Sequence, residues 1–480
     1  MSDASIISLA ARDALDRLLV DLGLDRRDTG GRIDFIGDDP IVASRHRPGA
    51  ASAAALAAQA VGIAAIWRLR GGRGQDIAID LHRAAMPDLR TSSHIWQNGH
   101  RLDYGRSPEE ARNFFRTRDG RRIYVLRTAA YAANLIGLLS LLGCANHSDA
   151  LSTAIASWGS ADLEEALAAN KLIGAVARTR AEWLAHPQGR WLAAQAPVQI
   201  DKIAGSAPEP FAPTPRPLSD IRVLDMAHVL AGPVCARVLA EQGADVLHVS
   251  EPLKPDDFRV VLDAGLGKRA AFIDLNRLGD SERVRALLAT GDVFIQSFRP
   301  GSLDKRGLSP RDVARLRPGI IYVSVSAYGN GGPWMARGGF EPVGQTASGL
   351  AIAEGSADAP VLAPTFTLND YLAAYLAAAG VTAALVRRAR DGGSYHVQVS
   401  LTRCSMWLQE LGRLPADQWP DRTSDQPLLP EPRDADFMTT DSVFGTLTHA
   451  KPIVTYAETT ARWDRGPSPL GAALPEWITA

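Results

Sequence analysis

Between Ile221 and Tyr328 short apolar runs alternate with helix-like segments, and this alternation limits the fold more than any other feature of the sequence. The runs IRVLDM (221–226), DVLHV (245–249), AAFIDL (270–275), DVFIQS (292–297) and IIYVSVSAY (320–328) read as buried strands. Helical segments fall between them, at 231–241, around 281–289 and around 310–316. Ala231-Gly232-Pro233 opens the first and Gly243 stops it. Strands and helices alternating at this spacing form βαβ units around a parallel sheet. Ligands of such sheets gather at the carboxyl ends of the strands.

The rest of the chain divides around this segment. Pro197 to Pro217 (PVQIDKIAGSAPEPFAPTPRP) holds six prolines and reads as an extended linker over 197–219. Upstream, NFFRTRDGRRIYVLR reads as a hairpin turning at Asp119-Gly120, followed by three helical stretches. The region 87–196 is therefore expected to form a smaller α+β domain. The N-terminus reads as an amphipathic helix and lacks the pattern of a signal peptide. The apolar stretch Ala53 to Trp67 is too short and too alanine-rich to span a bilayer. A Pro-, Asp- and Arg-rich stretch, 415–433, leads into a C-terminal tail, 411–480, expected to pack on the core.

An internal repeat relates the two ends. Adding 320 to the residue number places Leu56, Ala57, Ala58, Val61, Arg68, Arg70, Gly72 and Leu81 on Leu376, Ala377, Ala378, Val381, Arg388, Arg390, Gly392 and Leu401. Both copies read as an alanine-rich helix, a basic glycine turn and a strand. Residues 1–86 are thus expected to be a degenerate partial copy, with Ala50 opposite Asp370.

Composition excludes several function classes. Lys and Arg number 52 and Asp and Glu 53, a balance unlike the basic excess of a nucleic-acid binder. Length allows about three domains. Cys144, Cys235 and Cys404 are odd in number and far apart, fitting neither a disulfide framework nor a zinc site, so a reducing cytoplasm is the expected setting. No dinucleotide fingerprint, phosphate-binding Walker loop, HExxH or GxSxG occurs. His94 and His100 lack a third candidate ligand, and no metal site is expected.

Four groups of residues remain as carriers of chemistry. HVLAGP, His228 to Pro233, is a strand-to-helix turn that either binds an anion on its amides or is simply a tight turn. Lys268, Arg269, Arg299 and Lys305 are cations near strand ends, suited to phosphate or to solvated surface. The glycine-rich YGNGGPWMARGGFE, Tyr328 to Glu341, is either a flexible loop or a place where backbone meets substrate, with Gly331 and Gly332 as oxyanion donors. Asp370 stands at the start of a long apolar helix, as a cap or as a carboxylate kept ionised by the helix dipole.

From 221 to about 410 the chain resembles the family III CoA-transferases, the CaiB–BaiF family. The matching runs are VLDMAHVLAGPVCARVLAEQGADVLHVSEP, GKRAAFIDLN, DVFIQSFRPGSLDKRGL, GGFEPVGQTASGL and DYLAAYLAAAGVTAALVRRARDGG, in the family's order and spacing. GIAAIWRLRGGRGQDIAIDL and FFRTRDGRRIYV resemble later parts of the same family, here placed first. The resemblance implies a Rossmann-like core over 220–410 that binds CoA as substrate and product, with no tightly bound cofactor. It also implies a homodimer, usually interlocked, acting on acyl-CoA and carboxylic acids, with no nucleic acid or membrane partner. On the family's pattern Asp370 falls on the nucleophile and Glu341 on an acidic position beside it. His228 and Val229 fall on the CoA-contacting turn, Lys268 on a basic CoA contact, and Lys305 where one branch carries arginine.

The implied reaction is acyl-CoA:carboxylate CoA transfer through an aspartyl anhydride and an aspartyl-CoA thioester. Two alternatives are an acyl-CoA racemase or isomerase of the same fold and a non-catalytic CoA-binding subunit. The racemases use a histidine where alignment on Ser348-Gly349 places Phe340, which cannot act as a base. Leu230 stands where the formyl-CoA transferases carry glutamine, which disfavours a small polar acyl group.

Overall fold

The computed structural model describes residues 8–85, 95–102, 113–128, 131–362, 367–420 and 433–478. The expected alternation forms a seven-stranded sheet: β1 (Gln199–Ala204), β2 (Arg222–Met226), β3 (Asp245–Ser250), β4 (Arg269–Phe272), β5 (Val293–Gln296), β6 (Ile321–Ser326) and β7 (Ser394–Ser400). The order is β4-β3-β2-β5-β6-β7-β1. All neighbours are parallel except β1, which runs antiparallel to β7. The six parallel strands have the doubly wound Rossmann order, with the chain reversing direction across the sheet between β2 and β5.

Successive residues of a strand face opposite sides, and both sides are covered. Val223, Ile295 and Val323 join a core with two helices, α3 (Ala231–Ala240) and α5 (Leu368–Asp391). Leu224, Phe294 and Tyr322 join a second core with Val284, Leu288 and Val313 from the helices on the other face. This is why the strands read as continuous apolar runs rather than as alternating ones.

The linker expectation for 197–219 needs correction. Its first part, VQIDKIA, forms the edge strand β1, whose partners run from Gln199–Gln398 to Ala204–Ser394. The prolines from Pro208 onward lie beyond the strand and cost it no ladder hydrogen bond.

The region 113–196 carries a three-stranded antiparallel sheet, Phe114–Arg116, Arg122–Val125 and Gly174–Val176, with helices packed on it. The tail forms a hairpin, Phe437–Ser442 with Gly445–Ala450, in one sheet with Trp96–Gln97 and His100–Arg101. Val454–Tyr456 then pairs with Ile77–Asp80, and the Ala473 amide donates to the Ala270 carbonyl of β4.

The N-terminal region begins with α1 (Leu9–Leu22) and holds a long helix, α2 (Pro48–Leu69). The numbering offset seen in the sequence recurs in its elements. Helices start at Pro48 and Leu368, strands end at Asp80 and Ser400, and the next helices start at Leu81 and Leu401. Ile33–Ile36 pairs in parallel with Ile77–Asp80 as β6 pairs with β7, and Ile36–Asp80 and Ser326–Ser400 are corresponding partners. Helices α2 and α5 pack on each other. They meet at Gly62 and Thr382, which are related by the same offset. Both helices are long and apolar enough to cross a bilayer, yet both lie buried within the chain. Apolar residues surround them because helices or sheet surround them.

A Cβ on Gly62 would lie 2.1 Å from Thr382 Oγ1. Gly62→Ala gains about 1 kcal/mol of helix propensity, but overpacking costs about 1–3 kcal/mol. Urea unfolding should show a net loss of stability. Gly279, in the first turn of Leu278–Ala289, has nothing within 4 Å of an added Cβ. Gly279→Ala should gain ~0.4–1 kcal/mol in the same assay. A stabilising Gly62→Ala would contradict the close contact.

Candidate active site

The carboxyl ends of β2, β3, β4 and β5 surround a cleft of ≈ 330 Å³. That volume falls at the lower end of small-molecule sites, roughly 300–1,000 Å³. The position is the switch point of the sheet, where this architecture binds ligands. Met226, Ser250 and Ile273 form the floor, and His228, Phe298, Lys254 and Arg306 line the walls. His228 meets Phe298 edge to face at 5.6 Å.

The HVLAGP turn forms one side of this cleft, and its first two amides are held by side chains. The His228 amide donates to Ser297 Oγ at 2.9 Å, and the Val229 amide donates to Asp256 Oδ1 at 3.1 Å. Val229 has φ +67°. The His228 and Val229 amides are therefore engaged within the chain, whereas the expected anion-binding role of the turn falls to the amides at the start of α3.

Lys268 lies behind the turn and is only 2% exposed. Its ammonium donates to Asp225 Oδ2 at 2.8 Å and to the Pro233 carbonyl at 2.6 Å. Asp225 Oδ2 also meets His248 Nδ1 at 2.9 Å, and His248 Nε2 faces Asp256 Oδ2 at 3.5 Å. Burial opposes charge on all four groups; the alternation of signs overcomes it at Asp225, His248 and Asp256, whereas burial keeps the Lys268 pKa below its ordinary value despite Asp225. Burial works to raise the Asp225 pKa, but Lys268 and His248 hold it down at about 2. Burial works to lower the His248 pKa, but Asp225 and Asp256 hold it up at about 9. Burial likewise disfavours charge on Asp256, yet hydrogen bonding to His228 and His248 keeps its carboxyl well below the usual range.

The other expected cations lie apart. Arg299 bridges outward, donating to the Lys171 carbonyl at 3.1 Å and lying against Gly338. Lys305 is exposed on the short 3-10 turn Asp304–Arg306. Its neighbour Arg306 lines the cleft instead, held by the Leu275 carbonyl at 2.6 Å and Asn276 Oδ1 at 2.9 Å.

The second centre lies where three helices converge: α4 (Glu341–Ser348), α5 and α6 (Leu401–Glu410) pack on one another. Asp370 occupies the first turn of α5, its amide donating to the Thr367 carbonyl at 3.0 Å, and it is 9% exposed. The positive end of the helix favours its carboxylate. Glu341 begins α4 and is 1% exposed. Its Oε1 accepts from Gln345 Nε2 at 2.5 Å and from Asn369 Nδ2 at 2.8 Å, while Oε2 is buried without a partner. Asn369 is tied in turn to Ser405 Oγ of α6 at 2.7 Å. Burial, and after it the Asp370 charge, raises the Glu341 pKa well above the usual carboxylate range. Burial and the Asp370 charge thus both favour the protonated form of Glu341.

Tyr131 connects the centre to the smaller domain. Its ring packs on Phe340 at 4.4 Å, and burial, followed by the charges of Asp370, Asp256 and Asp257, raises its pKa. Tyr371, beside Asp370, donates to Asp263 Oδ2 at 3.1 Å, and Asp263 Oδ1 holds the buried Arg237 at 2.6 Å.

The glycine-rich loop is held to the smaller domain. Gln188 Nε2 donates to the Tyr328 and Gly331 carbonyls at 2.7 and 2.9 Å, and Gln188 Oε1 accepts from the Trp334 amide at 2.8 Å. Trp191 lies against Gly331, and Gln188 against Gly332, whose φ is +77°. Side chains at these two positions would collide with that clamp, which accounts for the glycines.

His94 lies outside the described residues. Among the described residues no group of three or more His, Cys, Asp or Glu is placed to hold a metal ion. Sequence reading missed Asp225, His248, Asp256 and Tyr131. Charged residues within the apolar runs IRVLDM and DVLHV were the available signal for the first two, because a charge on a buried strand requires a partner.

A cleft at the switch point of a doubly wound sheet is where this architecture binds ligands. The stretch 218–426 matches the family model of CoA-transferase family III. It is similar to the acetyl-coenzyme A transferase nodX of Hypoxylon pulicicidum, 34% identical over 224 residues, which cover 45% of this chain and 38% of that protein. It is also similar to the succinyl-CoA–D-citramalate CoA-transferase of Chloroflexus aurantiacus, 33% identical over 210 residues, covering 41% of this chain and 52% of that protein. A crystal structure of Rv3272 from M. tuberculosis is 32% identical and covers 41% of this chain and 56% of that one, with a TM-score of 0.39. The chain thus spans about half or less of the length of the curated relatives it matches.

Two outcomes follow from the geometry. Lys268→Met strips buried Asp225 of a cationic partner and the Pro233 carbonyl of its donor, and should lower unfolding stability by about 3–5 kcal/mol, measured in urea. A loss below about 1 kcal/mol would mean that the network does not support the turn. For Glu341, the folded pKa is raised, so between the ordinary value of about 4.3 and the folded value the folded chain keeps a proton that the unfolded chain has lost. Stability therefore falls as pH rises through that window and levels off above it. Glu341→Gln should flatten this slope in unfolding curves taken between about pH 5 and pH 8. An unchanged slope would show Glu341 ionised.

Proposed function

We propose that the protein transfers CoA from an acyl-CoA to a carboxylic acid, with Asp370 as the nucleophile. The observation that carries this reading is Asp370 in the first turn of α5 with the buried Glu341 near it, whose pKa burial and the Asp370 charge raise. A carboxylate Oδ of Asp370 attacks the thioester carbonyl. The C–S bond breaks and CoA leaves as thiolate, giving a mixed anhydride. The thiolate attacks the Asp370 carbonyl carbon, which releases the donor acid as carboxylate and leaves an aspartyl-CoA thioester. The acceptor carboxylate attacks that thioester and expels the thiolate. The thiolate then takes the acceptor acyl group and restores Asp370. No proton is gained or lost over the cycle.

Each neighbouring group suits a step. Neutral Glu341 adds no second negative charge next to Asp370, and a proton on Oε2 can hydrogen-bond an oxyanion. Burial around the pair excludes water, which would hydrolyse the anhydride. The cleft suits the nucleotide end of CoA, with Lys254 and Arg306 for phosphates and Phe298 for an aromatic face. Lys268, being buried and paired, supports the turn from behind and takes no phosphate. Phe340 stands where a racemase would need a base and packs on Tyr131, which favours transfer over racemisation. The recurring helix–strand–helix units support a partial internal duplication in which residues 1–86 serve as packing for α5.

Incubation with a panel of acyl-CoAs, followed by hydroxylamine or borohydride trapping and peptide mass spectrometry, should mark the peptide that contains Asp370. Asp370→Ala should give neither adduct nor transfer. Full transfer activity in that variant would overturn the assignment.

A further inference from the structure

Val229 is the one β-branched residue with left-handed φ among the described residues. Such a conformation is sparsely populated and persists only where its surroundings impose it. What imposes it here comes from elsewhere in the chain. Asp256, in the segment after β3, accepts the Val229 amide at 3.1 Å through Oδ1. Its Oδ2 faces His248 Nε2 at 3.5 Å, and its side chain is 8% exposed. His248 is fixed by Asp225 at 2.9 Å, and Asp225 by Lys268 at 2.8 Å. Lys268 then donates to the Pro233 carbonyl at 2.6 Å, in the first turn of the helix that the Val229 turn opens. The chain of charges leaves the turn at Val229 and returns to it at Pro233, so both of its ends grip the same six residues. His228, next to Val229, is the side chain that this turn presents to the cleft.

We propose that Asp256 is a positioning residue for CoA: held by His248, Asp225 and Lys268, it keeps Val229 left-handed and so fixes the turn against which the nucleotide end of CoA binds. This rests on the CoA-transferase reading of the cleft. Asp256 itself touches no reacting atom. Its effect is to keep the binding-competent turn populated in the free protein, and its loss should weaken CoA binding by the fraction of molecules that leave that conformation.

Two measurements on the full chain test this. In the absence of ligand, hydrogen exchange of the peptide containing 227–234 should show a protected Val229 amide that loses protection in Asp256→Ala. In calorimetry, Asp256→Ala should bind CoA about tenfold more weakly and bind pantetheine, which lacks the nucleotide, as wild type does. Adding Val229→Gly to Asp256→Ala should restore most of the CoA affinity, since glycine adopts positive φ without strain. If Asp256→Ala does not fold, Asp256→Asn, which keeps one oxygen acceptor but sets an N–H donor against a donating His248 Nε2–H, should show the same losses in smaller measure. Retained protection of the Val229 amide would overturn the clamp. Lost protection with unchanged CoA affinity, or equal loss for pantetheine, would overturn its role in nucleotide binding. A wild type that binds no CoA but shows the protected amide would sink the transferase reading and the binding role together, while leaving the clamp standing.

Discussion

Helix α5 can lie where it does only because its neighbours approach it at very short range. Alanines 373, 374, 377, 378, 379, 383 and 384 are all fully buried along it. Gly380 faces Val397 of β7 so closely that a Cβ would come within 2.5 Å of Cγ1. On another side Gly62 of α2 fits against Thr382. Small residues let three layers meet around one helix axis, and dispersion across those close contacts holds the axis in place. The first turn of that helix carries Asn369, Asp370 and Tyr371, which respectively hold Glu341, form the proposed nucleophile and reach Asp263. A helix fixed along its whole length aims its first turn, and that is the mechanical basis of the site.

Charge does a second, separate job. Lys268, Asp225, His248 and Asp256 alternate in sign, and each is nearly or wholly removed from water. An isolated charge at any of these positions would be strongly unfavourable, and replacing such a set by apolar residues can be neutral or stabilising. Their arrangement makes sense as geometry: four groups from β2, β3, the segment after β3 and the start of β4 meet at one turn. The carboxyl pair follows a different rule. Burial, and after it the charge of Asp370, pushes the Glu341 pKa up. Within one fold, alternating opposite charges hold one turn, and burial beside a like charge favours the protonated form of a carboxyl group.

The fold was legible to the extent that burial on both faces leaves a trace in one dimension. IRVLDM, DVLHV and DVFIQS were readable as strands because every residue of a central parallel strand is covered. A parallel sheet with βαβ connections followed from their spacing, and its Rossmann-like order from the family resemblance. The VQIDKIA strand was missed because an edge strand is half exposed and prolines follow closely. At the site, Asp370 could be singled out by its place at a helix start and by the family resemblance, and Glu341 by the resemblance alone. Lys268 was singled out too, but as a CoA-contacting cation, since nothing in GKRAAFIDL tells that its ammonium turns inward to Asp225, 43 residues earlier.

The sequence alone determined the parallel α/β sheet, the position of its helices, the offset of 320 that relates two helix–strand–helix units, and the residues capable of nucleophilic and acid chemistry. Periodicity and residue type carry these because they depend on neighbours along the chain. Only the tertiary structure decided which cations face solvent and which face a buried carboxylate, that the glycine loop is held by Gln188 and Trp191, and that Asp256 holds Val229 left-handed. Each of those depends on the approach of segments far apart in sequence, and the energy of a charge or a strained turn is set by what comes within a few ångströms of it in space.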